Sequence, residues 1–280
     1  MKLKTKKSIV VYYHHDEDGF GAAWSAWKKF GNKAEYVEIN YDKKDEISEH
    51  KNREIYFLDF CPAEKVIKKL LRTGKKVVVI DHHISSKSLV KSVPEHVYGN
   101  KNSGAVLSWK YFHSGKKVPK LLEYIEDMDI WKWKIKNTKE ILNVLFLREK
   151  DFKVWNKVAQ DLEDGKKRKK YIEEGLVVEK YKEKILDKIL DKAEKASLEG
   201  KKAWVVNSPV FGSEIGGILV KNKNTIGVIW SYRNGEINVS VRSKKKLADV
   251  SKIAQKFGGG GHRNAAGFSV SKKIKLPWKQ

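Results

Sequence analysis

The fold can be deduced outward from residues 8–19, whose sequence is SIVVYYHHDEDG. The apolar run Ser8–Tyr13 is rich in β-branched and aromatic residues, which is typical of a buried strand. Imidazole and carboxylate side chains follow it directly, and Gly21–Phe30 (GAAWSAWKKF) then has the spacing of a helix. A strand that passes through a polar turn into a helix indicates the start of a βαβ unit.

The same alternation continues through the first half of the chain. Further strands are predicted at Ala34–Ile39, Glu54–Leu58 and Lys76–Ile80. Helices are predicted at Ala63–Arg72 and Ser103–Phe112, and a helical segment begins with Leu121–Ile125. Strands that alternate with helices predict an α/β fold whose N-terminal sheet is mainly parallel, with helices on both faces.

The pattern changes after Asp151, where apolar residues recur at helical spacing up to Leu198 and predict a long linking helix. A smaller C-terminal α/β domain should follow, with strands at Ala203–Asn207, Thr225–Tyr232 and Ile237–Arg242 and a helix at Leu247–Phe257. Asn234-Gly235 between the last two strands favours a hairpin turn. We therefore expect domains at 1–150 and 200–280, a helical linker at 151–199, and a boundary within the long helix.

Composition restricts the class of partner. The net charge of +24, from 59 basic and 35 acidic residues, favours polyanions such as nucleic acid. A Lys-rich genome or a heat-adapted surface would give the same charge. The single cysteine, Cys61, excludes an intramolecular disulfide and favours a cytoplasmic location. No apolar run approaches the roughly 18 residues of a membrane span, so we expect no membrane contact.

Acidic and imidazole residues stand in four clusters at the ends of predicted elements. They are His14–Gly19, the lone Asp59, the triplet Asp81-His82-His83, and Glu126–Asp129. Ligands of an open parallel sheet bind beyond the carboxyl ends of its strands. We therefore expect the first three clusters to converge on one crevice, and a helix to bring in the fourth. Taken singly, each Asp could equally be a helix cap or a turn residue.

These side chains suit divalent metal ions. Carboxylates with imidazoles, without thiolates, favour Mn²⁺, Mg²⁺, Fe²⁺ or Zn²⁺ and argue against a structural zinc site. The clusters contain enough ligands for two ions, and a carboxylate such as Asp59 can bridge them. Two ions a few Å apart can activate water and stabilise a phosphoryl displacement.

The C-terminal sequence Gly258–Phe268, GGGGHRNAAGF, is a second candidate site. Consecutive glycines leave their backbone N–H groups unshielded, and such a loop can form an anion-binding nest. His262 and Arg263 add donors and positive charge. A flexible linker is the alternative, but the run lies between a predicted helix and an apolar segment. Arg242, at the end of a predicted strand, can lie beside this loop.

Together these motifs resemble the DHH phosphoesterase superfamily. His14-x-Asp16-x-Asp18-Gly19, Asp59, Asp81-His82-His83 and Asp127 are similar, in order, to its four motifs. The tail Gly258–Phe268 resembles the signature of the DHHA1 C-terminal domain. The triplet alone is a weak match, but with the tail the match spans nearly the whole chain and is specific.

The resemblance implies roles for individual residues and two Mn²⁺ ions, with Mg²⁺ as the alternative. His14 and Asp16 would hold one ion, Asp18 and His82 the other, and Asp59 would bridge them. Asp127 would complete the second ion's shell; it directly follows the apolar run that ends at Ile125, although Asp129 competes with it. His83 would face the substrate phosphate and Asp81 would orient the histidines. The residues implied to bind substrate are Arg242, Gly259, Gly260, Gly261, His262, Arg263 and Asn264.

The function that the sequence favours is metal-dependent phosphodiester hydrolysis. We expect short RNA or DNA oligonucleotides or dinucleotides as substrates, in the manner of oligoribonucleases, and allow for a homodimer. A single-stranded DNA exonuclease and an enzyme acting on pAp or cyclic dinucleotides are the related alternatives. Pyrophosphatases of the superfamily carry a different C-terminal domain, so the glycine tail counts against that activity. A nucleic-acid-binding subunit without catalysis is the non-enzymatic alternative.

Overall fold

The structure is a computed structural model that describes residues 7–40, 47–48, 50–233, 235–244 and 246–271. Asn234 of the predicted hairpin turn lies outside the described residues. The chain folds into two units, Met1–Glu179 and Lys180–Gln280. In the part of the chain that the structure describes, no helix combines the length and the hydropathy that crossing a membrane requires.

The N-terminal unit contains a five-stranded sheet in which every neighbouring pair is parallel. Its strands are β1 (Ile9–His14), β2 (Ala34–Ile39), β3 (Glu54–Leu58), β4 (Lys76–Asp81) and β5 (Glu95–Tyr98), in the order β2-β1-β3-β4-β5. The sequence analysis had not predicted β5, because it is short and polar at one end. Its pairing with β4 makes it a strand.

Helices cover both faces of this sheet, which confirms the predicted α/β fold. They are α1 (Glu17–Phe30), α2 (Glu64–Thr73), α3 (Lys87–Ser92), α4 (Gly104–Phe112), α5 (Lys120–Asp129), α6 (Thr138–Phe146), α7 (Phe152–Glu163) and α8 (Gly165–Leu190). Along β1, Val11 and Tyr13 join the core beneath α1, α4 and α5, whereas Val10 and Tyr12 join the core beneath α2. Alternating side chains of a strand point to opposite faces, so one apolar run contributes side chains to two cores.

The expected linker at 151–199 differs from the structure at both of its ends. Helix α7 buries Trp155, Val158 and Leu162 in the N-terminal core, so it belongs to the first unit. Residues Glu194–Leu198 form a strand, β6, rather than the end of a helix, because they pair with the next strand. The division between the units falls inside α8, between Glu179 and Lys180.

The C-terminal unit is a six-stranded sheet that is antiparallel except for one parallel pair, β7 with β8. Its further elements are β7 (Lys201–Asn207), α9 (Gly212–Lys223), β8 (Ile226–Arg233), β9 (Glu236–Arg242), α10 (Val250–Lys256), β10 (Gly260–His262) and β11 (Ala265–Ser271). The strand order is β10-β11-β9-β8-β7-β6. Helix α9 packs Ile215 and Leu219 into one core, and α10 packs Val250 and Ile253 into another.

Candidate metal centre

Three of the four predicted clusters lie at the same edge of the N-terminal sheet. His14 is the last residue of β1, Asp59 directly follows β3, and Asp81 is the last residue of β4. These three strands are neighbours, and the strand order reverses between β1 and β3. Such a reversal opens a crevice at the carboxyl ends of the strands, where ligands of open α/β sheets bind.

The first group of candidate ligands is His14, Asp16 and Asp59, whose ligand atoms lie within 4.8 Å of one another. His14 Nδ1 lies 2.8 Å from Asp16 Oδ2 and 3.7 Å from Asp59 Oδ2. Asp16 also caps α1, because its Oδ1 accepts a hydrogen bond from the Gly19 amide at 2.9 Å. The cap and the ligand interpretation of Asp16 are therefore compatible, since each uses a different oxygen.

The environment of Asp16 favours its ionised form. Burial acts to raise the pKa of this carboxyl, but the His14 hydrogen bond, the charge of His14 and the Gly19 amide outweigh burial and lower the pKa to about 2. The carboxylate is thus available to a cation throughout the physiological pH range.

The second group is Asp18, His82 and Asp129, again with ligand atoms within 4.8 Å of one another. His82 Nε2 lies 3.7 Å from Asp18 Oδ2 and 3.6 Å from Asp129 Oδ2. Two backbone amides at the start of α4 fix Asp18: Gly104 N donates to Oδ2 at 2.6 Å and Ala105 N donates to Oδ1 at 3.0 Å. A helix N-terminus suits a carboxylate because its first amides have no partner within the helix.

Asp59 lies between the two groups. Its Oδ2 faces His14, and its Oδ1 lies 3.2 Å from His82 Nε2. The residue has a φ of +65°, a conformation that Asp tolerates better than most residues. Burial raises the pKa of Asp59 well above its usual value, and the neighbouring charges of Asp18, Asp16 and Asp129 raise it further. Without a counterion, the surroundings of this carboxyl therefore disfavour its ionised form.

The chemistry of the donor set fits divalent cations. Asp59 Oδ1 and Oδ2, His82 Nε2 and Asp129 Oδ2 are buried and have no hydrogen-bond partner among the described residues. Buried polar atoms normally have partners, and buried like charges repel unless a cation lies between them. Burial also lowers the pKa of His82, which favours the neutral imidazole that binds metals. The residues therefore fit two neighbouring cations.

Asp81 holds the DHH triplet in shape. Its Oδ1 accepts hydrogen bonds from the amides of His82 (2.7 Å) and His83 (3.1 Å) and from His83 Nδ1 (2.8 Å), and its Oδ2 accepts from Ser86 Oγ. Burial acts to lower the pKa of His83, but the Asp81 hydrogen bond and charge outweigh burial and raise it. His83, Asp59 and His82 form a third group of candidate ligands, whose ligand atoms also lie within 4.8 Å of one another.

The contacts of Asp127 favour Asp129 over it as the fourth-motif ligand. Its Oδ1 accepts from Lys134 N at 2.8 Å, and its Oδ2 accepts from Ile135 N at 3.1 Å and from Thr138 Oγ1 at 2.6 Å. These bonds occupy the carboxylate in a loop. Asp129, the competing residue, has the oxygen near His82 instead. The apolar run before Asp127 predicted the helix correctly but could not show which carboxylate the following loop would use.

In the C-terminal unit, Arg242 is the last residue of β9, and two hydrogen bonds fix its side chain. Its guanidinium donates to Ser213 Oγ at 3.0 Å and to the Val241 carbonyl at 3.2 Å. A Cβ on Gly216 would lie 2.4 Å from Arg242 Cγ, so this glycine makes room for the arginine stem. The sequence analysis missed Gly216, since nothing in its local pattern shows that α9 crosses β9 there.

The glycine tail is folded, but it is not the open loop of amides that was predicted. The amides of Gly258 and Gly259 donate to the carbonyls of Gln255 and Ala254, at 3.1 and 2.9 Å, and end α10. Gly260, Gly261 and His262 form β10 and pair with β11. Gly258 and Gly259 therefore have a conformational role, and their amides are not available to an anion.

The remaining predicted residues lie at one end of the same hairpin. His262, Arg263 and Asn264 are exposed at the β10–β11 turn, and Arg263 Nη1 lies 3.3 Å from Asp249 Oδ2. The Asn264 carbonyl accepts from Ser243 N at 2.9 Å, which places this turn beside the end of β9 where Arg242 stands. The hairpin thus brings Arg242 and the turn into one neighbourhood.

Known proteins are similar to this chain both in its C-terminal unit and over most of its length. A family model described as the DHHA1 domain matches residues 207–277. Oligoribonuclease NrnB of Bacillus subtilis (strain 168) is 26% identical over 303 residues, which cover 94% of this chain and 73% of that protein. Both findings support membership of the DHH/DHHA1 phosphoesterase superfamily.

Two further similarities extend over the same length. An uncharacterized protein of Acanthamoeba polyphaga mimivirus is 28% identical over 293 residues, which cover 96% of this chain and 68% of that protein. The crystal structure of exonuclease RecJ bound to manganese has a TM-score of 0.54 at 16% identity and covers 93% of this chain and 85% of that chain. At that identity the likeness to RecJ shows a shared fold.

Gly104 is a further residue of the candidate centre that the sequence analysis missed. A Cβ at this position would lie 2.5 Å from Asp59 Oδ1 and 2.6 Å from Asp59 Cβ. Only glycine therefore allows the start of α4 to approach Asp59 while its amide holds Asp18. The signal was local: Ser103-Gly104 begins a predicted helix, and Ser103 is its N-cap.

Proposed function

We propose that this protein is a two-metal phosphodiesterase that hydrolyses short oligonucleotides. RNA of a few nucleotides is the leading substrate. The observation that carries the proposal is the meeting of two ligand groups at one edge of the sheet, with Asp59 between them. One oxygen of Asp59 faces each group, as a bridging carboxylate requires. The buried ligand atoms without hydrogen-bond partners support the same interpretation.

The proposed ligand set is His14, Asp16 and Asp59 for one ion, and Asp59, Asp18, His82 and Asp129 for the other. Mn²⁺ is the leading ion and Mg²⁺ the alternative, because carboxylate and imidazole ligands suit both and RecJ, which shares the fold, has been solved with manganese. When bound, such ions lower the pKa of water and offset charge on the phosphoryl oxygens.

The remaining residues orient the reacting groups. We assign His83 to the substrate phosphate, where its raised pKa favours the protonated imidazole that can donate to a non-bridging oxygen. Asp81 fixes the ring through Nδ1 and acts as a positioning residue. In the reaction a water oxygen bonds to phosphorus and the bond from phosphorus to the leaving ribose oxygen breaks. One water proton ends on that oxygen and the other stays with the new phosphate or passes to solvent.

The substrate class rests on charge and on relatives. The net charge of +24 favours a polyanion, and the relative NrnB, which covers 94% of this chain, is named as an oligoribonuclease. Arg242, His262, Arg263 and Asn264 are the proposed contacts to nucleotide phosphate, sugar or base in the C-terminal unit. Gly260 and Gly261 shape the hairpin that carries them. A long single-stranded DNA substrate and a small bisphosphate such as pAp are the competing substrates.

The test is product analysis with purified protein. Labelled RNA of two to five nucleotides, long single-stranded DNA and pAp are incubated with Mn²⁺, with Mg²⁺ or with EDTA, and the products are resolved. We expect mononucleotides from short RNA in Mn²⁺, and no products in EDTA. Faster turnover of long DNA or of pAp than of short RNA would overturn the choice of substrate. Absence of turnover with all three substrates would overturn the proposed phosphodiesterase activity.

The matched variants are Asp59→Asn and Asp187→Asn. Asp59→Asn should lower kcat/KM by at least about 10²-fold, since even residues that only support metal ligands contribute 10–100-fold. Its thermal midpoint in EDTA should not fall, because the exchange removes a buried, repelled carboxyl. Asp187, exposed on α8, should be replaceable without effect. A folded Asp59→Asn variant with full Mn²⁺-dependent activity would contradict the proposed centre.

A further inference from the structure

Two exposed tryptophans lie on the loop that follows α5. Trp131 and Trp133 are 55% and 37% exposed, and their rings meet edge to face with centroids 5.3 Å apart and planes at 83°. The surrounding sequence, WKWKIK at residues 131–136, alternates apolar and basic side chains, and all six are exposed. Two large aromatic surfaces presented to solvent side by side suggest a ligand with a flat apolar face.

The loop is held in an unusual backbone conformation. Trp131 has a φ of +56° and Trp133 a φ of +49°, values that bulky residues rarely adopt. Asp127 fixes this geometry from inside. Its carbonyl accepts from the amides of Lys132 (2.9 Å) and Trp133 (3.1 Å), and its carboxylate accepts from Lys134, Ile135 and Thr138. Strain that the surroundings over-determine in this way is typical of ligand sites, where it pre-organises the contact surface.

The loop lies beside the candidate metal centre. Trp131 follows Asp129 by two positions, and Asp129 Oδ2 is 3.6 Å from His82 Nε2. Glu126 joins the loop to the start of α4, because it binds Lys132 Nζ at 2.9 Å and accepts from the Ser103 amide at 3.0 Å. The next amide, that of Gly104, holds Asp18. One network thus connects the tryptophan loop to both the ligand Asp129 and the anchor of the ligand Asp18.

We propose that Trp131 and Trp133 form a stacking platform for a nucleobase of the oligonucleotide whose phosphodiester is cleaved at the metal centre. The inference rests on the proposed function and adds the contact that recognises the base. The exposed basic side chains of Lys134 and Lys136 on the same loop match the charge of the adjoining phosphates. Stacking uses the face that every base has, so the platform selects for a base without selecting its identity.

The experiment measures binding apart from cleavage. A hydrolysis-resistant phosphorothioate trinucleotide and a matched trimer whose bases are replaced by abasic riboses are titrated calorimetrically in Mn²⁺. Wild-type protein should bind the base-bearing trimer about tenfold more tightly, the change expected for one base–aromatic stack. Trp131→Ala or Trp133→Ala should raise Kd about tenfold for the base-bearing trimer and leave Kd for the abasic trimer unchanged.

Three controls separate the possible causes. Trp131→Phe and Trp133→Phe should retain binding within about threefold, since a ring remains for stacking. Tyr181→Ala removes another aromatic side chain, 69% exposed on α8, and should change neither Kd. Thermal midpoints show whether each variant folds.

The outcomes distinguish this platform from the proposed hydrolase activity. Equal Kd values for the two trimers, or alanine variants that weaken both trimers equally, would overturn the platform even if wild-type protein cleaves RNA. The expected Kd pattern in a protein that cleaves no oligonucleotide would support the platform and overturn the proposed function.

Discussion

At the scale of single residues, Asp127 and Asp129 have identical side chains, but their surroundings favour different roles. Both are buried or nearly so at the end of α5. Asp127 meets two amides and a hydroxyl from the loop after it. Asp129 meets other carboxylates and His82, and burial together with the charges of Asp18 and Asp16 raises its pKa well above the usual value. One carboxylate therefore stabilises a loop, and the other lies among groups that oppose its charge, as the proposed metal ligand would.

The two residues should consequently respond in opposite ways to substitution. Asp127→Ala leaves buried amides without acceptors and should lower the free energy of unfolding by about 2–4 kcal/mol. Asp129→Asn should leave stability in EDTA unchanged or raised, and weaken Mn²⁺ binding by about tenfold or more. Urea denaturation in EDTA measures the first effect and calorimetric Mn²⁺ titration the second. If Asp127→Asn, a milder replacement, weakened Mn²⁺ binding while Asp129→Asn did not, the assignment of the two residues would be reversed.

At the scale of elements, the centre depends on how closely the start of α4 approaches the end of β3. The helix donates two amides to Asp18 and passes Asp59 at a distance that leaves no room for a methyl group. Neither strand nor helix alone contains this arrangement. It arises because α4 packs on the same face of the sheet as α1, which carries Asp18.

Gly104→Ala should therefore damage the centre more than the fold. The added Cβ would lie 2.5 Å from Asp59 Oδ1, so either the carboxylate or the helix must move. We expect kcat/KM on short RNA to fall by about 10²-fold, the order of loss seen when a supporting contact of a metal ligand is removed. Gly165→Ala is the matched control, because its nearest neighbour would be Arg168 Nη2 at 4.0 Å. Equal activity of the two folded variants would show that the close approach is not required.

At the scale of the whole molecule, the excess of positive charge should govern substrate binding. Release of counterions makes binding of single strands fall with salt at a logarithmic slope of about −0.7 per phosphate contacted. For a trinucleotide with two or three contacts, affinity should fall about tenfold between about 50 and 200 mM salt. The control is bis(p-nitrophenyl) phosphate, which has one charge and should lose only about threefold. A trinucleotide no more salt-sensitive than this control would contradict a role for charge in recognition.

The α/β class and the places where chemistry gathers could be predicted from local sequence. Strand runs such as Ser8–Tyr13 carry enough β-branched and aromatic residues to be recognised alone. The ends of those runs then locate Asp59 and Asp81, because the carboxyl ends of parallel strands meet at one edge. Helix α7 and strand β6 were misplaced in the sequence analysis. Their membership of one unit or the other depends on what packs against them, and periodicity does not record this.

The sequence by itself thus determined the α/β class, most of the strands and the edge where His14, Asp59 and His82 gather. Only the tertiary structure decided that Asp129 rather than Asp127 belongs to the ligand group, and that the Gly258 and Gly259 amides close a helix rather than bind an anion. The reason is physical. Strand and helix patterns depend on neighbours along the chain, whereas the partner of a buried carboxylate or amide depends on which donors and acceptors folding brings within about 3 Å.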